Sequence, residues 1–157
     1  MSYKLYGWRV SYFTAKLRCY LKYKNISFEE KQMNAFDLFY TSEKKVGSRV
    51  MPILLTPNNE WLGDTKDIID ELERRFPQTI VYPRTPCKRF VSLLFETWAD
   101  EFWVPHAMHY RWNRQESVLF FQNEVSQLLF PYGPKFLQDY GVNRVKTTLV
   151  GFLPFVG

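Results

Sequence analysis

Two short stretches of this 157-residue chain carry side chains whose types and spacing could do chemistry. The first is Gly63-Asp64-Thr65. Just after it the apolar period changes from two to about 3.6, and Ile68, Ile69, Leu72 and Phe76 fall on one helical stripe. Asp64 and Thr65 therefore stand where a helix must start. Asp67 follows three residues after Asp64, as in a capping box, and Pro77 stops the helix. A helix start presents unpaired backbone N–H groups and a partial positive charge, so it favours a carboxylate or phosphate. The Thr65 hydroxyl adds a donor, and the Asp64 carboxylate can pair with an ammonium beside that anion. Such a set suits the zwitterionic head of an α-amino acid. The plainer alternative is that Asp64 or Thr65 only caps the helix.

The second stretch is Ser11-Tyr12-Phe13-Thr14-Ala15-Lys16-Leu17-Arg18, where Ser11 or Thr14 caps the first helix. Other reactive residue types offer less. Cys19 and Cys87 lie far apart with no CxxC, so neither a disulfide framework nor a dithiol site is indicated. Cys19 sits at an apolar helical position and reads as core. His106 and His109, near Asp100 and Glu101, have a spacing open to a metal but no third ligand or HExxH frame, so no metal is expected.

The elements that must position these residues follow from pattern. Tyr3 to Tyr6 is β-like and closed by Gly7. Phe13, Leu17, Tyr20 and Leu21 mark a helix ending near Lys24-Asn25, and Ile26 to Met33 reads as a second strand. Residues 34–50 look irregular, with a weak helical run from Phe36 to Tyr40. Met51 to Leu55 and Trp61-Leu62, joined by Pro57-Asn58-Asn59-Glu60, read as a hairpin feeding the capped helix, on which Glu71 and Arg75 form an outer i,i+4 pair. Residues 78–86 are a stiff proline-bearing linker between a domain at 1–77 and an all-helical part at 87–157. There, Val91, Leu94, Phe95, Trp98 and Phe102 make an apolar stripe opposite Arg89, Ser92, Glu96 and Asp100. Pro105 ends or kinks that helix, and a second, marked by Val118, Phe121, Val125 and Leu128, stops at Pro131.

The residues V-M-P-I-L at 50–54 and L-G-D-T-x-x-I-I-x-x-L at 62–72 resemble the glutathione-binding half of the glutathione S-transferase superfamily. The resemblance implies an α/β thioredoxin-like N-terminal domain followed by an all-α domain. It implies that Pro52 is cis, that the Met51 backbone pairs with the cysteinyl part of glutathione, and that Asp64 and Thr65 hold its γ-glutamyl head. The family usually has Glu or Gln with Ser at these two positions. Residues 11–18 resemble the family's S-x-F-S-x-K-V-R signature, which assigns Ser11 to the glutathione sulfur, with Tyr6 and Tyr12 as rival hydroxyl donors. A thiol near pKa 8.5 is mostly protonated at neutral pH. A hydrogen bond to a charged group is worth about 1.5–3 kcal/mol, so one hydroxyl donor lowers that pKa by roughly one to two units. With no Cys at position 11, a thiol-transfer role is unsupported. The activity implied is glutathione transfer to an apolar electrophile, with glutathione as co-substrate, by a homodimer whose acceptor pocket lies between the domains. A non-catalytic binding or assembly module is the alternative.

Composition constrains the rest. Hydrophobic content of 46% supports an ordinary core, and 18% aromatic content is high. The net charge of +5 is scattered; Lys16, Arg18, Lys22 and Lys24 alternate with Leu17, Tyr20 and Leu21 as on a solvated helix face, so nucleic acid is not an expected partner. No signal peptide or membrane-length apolar run is present, which makes a reducing cytoplasmic setting the default. The helical part is shorter than the family's usual one and looks incomplete, and its apolar tail from Leu149 to Gly157 calls for burial.

Overall fold

A computed structural model describes residues 2–150, with side chains as far as Thr148, so the tail beyond Val150 lies outside the described residues. The chain divides after Ile80 into two units.

The first unit is built on β1 (Tyr3–Gly7), which pairs in parallel with β2 (Phe28–Gln32) and antiparallel with β3 (Ile53–Leu55). β3 turns back antiparallel into β4 (Trp61–Gly63), giving the order β2-β1-β3-β4. Tyr3, Leu5 and Gly7 alternate inward along β1. The helices α1 (Tyr12–Tyr23) and α3 (Thr65–Arg75) supply the other half of the core, with Leu17, Leu21, Ile68 and Leu72 all fully buried. Burying each such side chain contributes about 1.5–3 kcal/mol. This is the expected thioredoxin-like arrangement, with narrower strands than the apolar runs suggest.

Residues 34–50 are more regular than their pattern implies. Asn34 and Asp37 cap each other reciprocally, the Asp37 N–H donating to Asn34 Oδ1 at 2.9 Å. The chain then runs through a π-helical turn (Asp37–Thr41) into α2 (Ser42–Val46), which ends at Gly47 with φ 78°. The polar side chains that mask apolar periodicity here are the ones that build the cap. Cys19 is also corrected: it is exposed. The buried stripe of α1 is Thr14, Leu17, Tyr20 and Leu21, and a residue two positions past Leu17 points about 200° away from it.

Charged side chains lock the helices of this unit. Lys24, with its side chain fully buried, donates from Nζ to Glu73 Oε1 at 2.8 Å, to the Phe76 carbonyl at 2.6 Å and to the Thr79 carbonyl at 2.5 Å. The Tyr20 hydroxyl donates to the same Glu73 oxygen at 2.7 Å. One cation thus satisfies carbonyls left open where α3 ends. Arg18 meets Glu30 through two nitrogens, at 2.8 and 2.6 Å, tying α1 to β2. Arg75 joins Glu71 at 2.7 Å, as the i,i+4 spacing predicts, and also reaches Glu60 in the hairpin turn at 2.6 Å.

The second unit holds α4 (Pro86–Asn113), α5 (Gln115–Leu129) and α6 (Lys135–Val150). Its buried apolar residues are Met108 and Trp112 of α4, Val125 and Leu129 of α5, and Val142 of α6. Pro105 does not end α4, which continues to Asn113. The apolar stripe from Val91 to Phe102 is solvent-exposed, whereas Ser92, Glu96 and Asp100 are half-buried. Length explains why this unit leaves it open. At 1.5 Å per residue α4 runs about 42 Å and α5 and α6 about 23 Å each, so neither can cover all of α4.

Two outcomes test these locks. Lys24→Met leaves Glu73 and two carbonyls without their cation and lowers stability by about 3 kcal/mol or more in thermal or urea unfolding. The Arg18 hydrogen bond and charge hold the Glu30 carboxyl below its ordinary value. Its contribution is therefore intact above the ordinary glutamate range and is lost as pH falls through the lowered value. Melting temperatures across acid pH should fall less steeply in Glu30→Gln than in wild type.

Candidate functional site

The carboxyl end of β1 leads into one of the two sequence stretches, and across β3 it shares a sheet end with the other. In the β1–β3 register Tyr6 stands opposite Ile53, and in the β3–β4 register Ile53 stands opposite Gly63. Continued by one residue, the same registers bring Gly7, Pro52 and Asp64 into one row across the end of the sheet. Two strand spacings separate the outer members, roughly 10 Å. The Met51–Pro52 bond at the centre of the row is cis, as expected.

The loop leaving β1 is fixed to β2. The Gly7 carbonyl accepts from the Met33 N–H at 3.3 Å, and the buried Trp8 indole Nε1 donates to the Met33 carbonyl at 2.7 Å. Ser11 follows as the N-cap of α1, its Oγ accepting from the Thr14 N–H at 3.3 Å and its carbonyl from the Ala15 N–H at 3.0 Å. Between Ser11 and Thr14, the cap is thus Ser11. Thr14 is fully buried instead and presses on Gly7, where a Cβ would lie 2.4 Å from the Thr14 hydroxyl oxygen. Only glycine admits the helix start so close to the strand end.

At the other end of the row Asp64 caps α3. Its Oδ1 accepts from the Lys66 N–H at 2.9 Å, two residues on; the reciprocal half of a capping box, from Asp67, is not seen. Asp64 is exposed and has φ 61° and ψ 129°, a backbone state that costs of order 1–3 kcal/mol in a non-glycine residue. Thr65 is buried at the first helical position. Gly63 allows α2 to close on this corner, since a Cβ there would sit 2.8 Å from Val46 Cβ. Lys45, from the same helix, places its Nζ 5.8 Å from the Trp61 ring centroid.

Of the rival hydroxyls, Tyr6 packs its ring on Trp61 at 5.1 Å and Tyr12 meets Phe13 edge-on. In the helical unit, His106 Nδ1 is 2.9 Å from the Phe102 carbonyl and His109 Nδ1 is 3.0 Å from Asn113 Nδ2. Among the described residues no group of three or more His, Cys, Asp or Glu is placed to hold a metal, and no helix is long and apolar enough to cross a membrane. The Lys24 anchor, the positive φ of Asp64 and the Lys45–Trp61 contact were not foreseen from sequence. Lys24 looked like one more cation on a solvated face, and its position one turn past Tyr20, beside the apolar stripe, was the available signal.

Comparison with known proteins supplies the family. Residues 5–79 match the model of the glutathione S-transferase N-terminal domain. No curated protein matches. Among solved structures, the chain is similar to the tau-class glutathione S-transferase of mango, Mangifera indica, with 16% identity and a TM-score of 0.61 over 80% of this chain and 60% of that one. It is similar to a glutathione S-transferase of Methylobacterium radiotolerans in complex with glutathione sulfonate, with 16% identity and a TM-score of 0.61 over 96% and 91%. A third, from Methylobacillus flagellatus with glutathione bound, has 19% identity and a TM-score of 0.58 over 98% of this chain and 65% of its own. The chain thus spans 60% and 65% of the length of two of these three. Its fold is theirs, and residues 5–79 are a glutathione S-transferase N-terminal domain.

Proposed function

We propose that the chain binds glutathione along the row formed by the Ser11 loop, Met51-Pro52 and Asp64-Thr65, and activates its thiol for attack on a hydrophobic electrophile. The observation that supports the reading is the register that runs Gly7, the strand end leading to the α1 cap, Pro52, and Asp64, the α3 cap, along one end of one sheet with about 10 Å between the outer two. In this reading the start of α3 takes the γ-glutamyl carboxylate, the Asp64 carboxylate takes its ammonium, and the Met51 backbone pairs with the cysteinyl residue. Ser11 Oγ already accepts from Thr14, so its own hydroxyl hydrogen is available to the sulfur. The thiolate then forms a C–S bond to the electrophile, whose leaving group departs with the displaced electron pair. The working form is a cytoplasmic homodimer.

A non-catalytic binding or assembly module is the second reading. It is favoured by the large apolar side chains that all three helices of the second unit expose, among them Phe95, Phe120 and Phe136.

Isothermal titration with glutathione, followed by conjugation assays, separates the two. Asp64→Asn keeps a good cap and tolerates the positive φ but loses the charge. It should weaken glutathione binding by about 10- to 100-fold, the equivalent of one charge-assisted hydrogen bond, with little change in melting temperature. Ser11→Ala should leave binding near wild type while raising the pKa of the bound thiol by roughly one to two units and slowing conjugation. Binding without conjugation by wild type selects the module. No heat of binding at all overturns both roles for this row.

A further inference from the structure

We infer that the helical turns at 36–44 dock the chain on an anionic lipid bilayer. Phe36, Phe39 and Tyr40 follow closely in sequence and are 63%, 48% and 51% exposed. The inner side of the same turns is held by Leu38 and by Ser42, whose hydroxyl donates to the Leu38 carbonyl at 2.5 Å. These turns therefore show aromatic rings to solvent and keep a serine inside. A large apolar side chain exposed singly is ordinary, but three together mark a contact surface. The rings are also ordered. Phe36 and Tyr40 meet with centroids 4.8 Å apart, and Lys44, four residues further on, sets its Nζ 5.5 Å from the Tyr40 ring centroid and 3.3 Å from its hydroxyl. The π-helical turn that carries Phe39 and Tyr40 is a rare form of backbone that recurs at functional sites.

Charge decides what covers this surface. Both acids of the segment are engaged: Asp37 Oδ1 accepts from the Thr41 hydroxyl at 3.2 Å, and Glu43 holds Arg49 at 2.8 Å. Lys44 and Lys45 are exposed and have no carboxylate partner among the described residues. The surface is thus basic as well as aromatic, on a chain whose net charge is +5. Rings beside lysines suit the boundary between headgroups and acyl chains, where the rings sink in and the ammonium groups stay with anionic headgroups. Rings that stand out from a helical turn line no groove for a peptide, so a soft, flat partner fits them better than an acidic protein segment. The contact is with one leaflet, the anionic cytoplasmic one, and does not depend on glutathione being bound.

Co-sedimentation with phosphatidylcholine vesicles, with and without phosphatidylserine, is the test. Wild type should bind the vesicles that contain phosphatidylserine and lose at least about 10-fold in affinity when that lipid is left out or salt is raised. Lys44→Gln should weaken binding about 5-fold and Phe36→Ser about 10-fold, each with the circular dichroism and melting temperature of wild type. Phe120→Ser, at an exposed position on α5, should bind as wild type does. Equal binding with and without phosphatidylserine, binding unchanged in both Lys44→Gln and Phe36→Ser, or no binding at all would overturn the inference. So would a wild type that holds soluble polyglutamate and ignores the vesicles, which would give the surface to an acidic protein.

Discussion

The pairing register of β1 is the constraint on which the first unit depends. β1 is bonded on both sides, in parallel to β2 and antiparallel to β3, so a slip of one residue on either side would turn Leu5 from the core to the opposite face. The same register decides what stands at the strand ends. Gly7, Pro52 and Asp64 share a row only because Tyr6 faces Ile53 and Ile53 faces Gly63. Core packing and site geometry are therefore one constraint. The apolar alternation that buries Leu5 and Leu54 also sets which residues stand side by side at the strand ends.

That coupling explains why so much of this unit was legible in the sequence. Ile68, Ile69 and Leu72 fix the phase of α3, and the phase fixes its first residue, so Asp64 is found by counting back from the core. Leu17 and Leu21 fix the phase of α1 but leave its cap open between Ser11 and Thr14, and the bond from the Thr14 N–H decides for Ser11. What escaped the reading depends on partners remote in sequence. Lys24 looks like any surface lysine until Glu73, Phe76 and Thr79, about fifty positions on, close around it. The helical turns at 35–46 showed only as a weak run from Phe36 to Tyr40 because polar reciprocity between Asn34 and Asp37, rather than apolar period, starts them.

The helical unit failed in a different way. The stripe from Val91 to Phe102 was correctly recognised as a continuous apolar face, but periodicity reports only that a face is apolar and never what covers it. In a chain of short elements the nearest neighbour is the usual cover, and here α5 and α6 are too short to serve along the whole of α4. The buried residues of α4, Met108 and Trp112, belong to the half those helices can reach.

The two caps also show why structural and chemical roles need not compete. Ser11 Oγ spends a lone pair on the Thr14 N–H, and accepting that bond polarises its own O–H, making it a better donor toward a developing thiolate. Asp64 spends one of its two oxygens, Oδ1, on the Lys66 N–H. In both residues the bond that starts a helix uses acceptor capacity only. What remains, a hydroxyl proton at Ser11 and a carboxylate at Asp64, is opposite in sign to a thiolate and to an ammonium respectively. An alanine at either position would weaken a helix start and remove the proposed ligand contact together. A substitution that preserves the cap and changes only the remaining donor or charge separates the two roles.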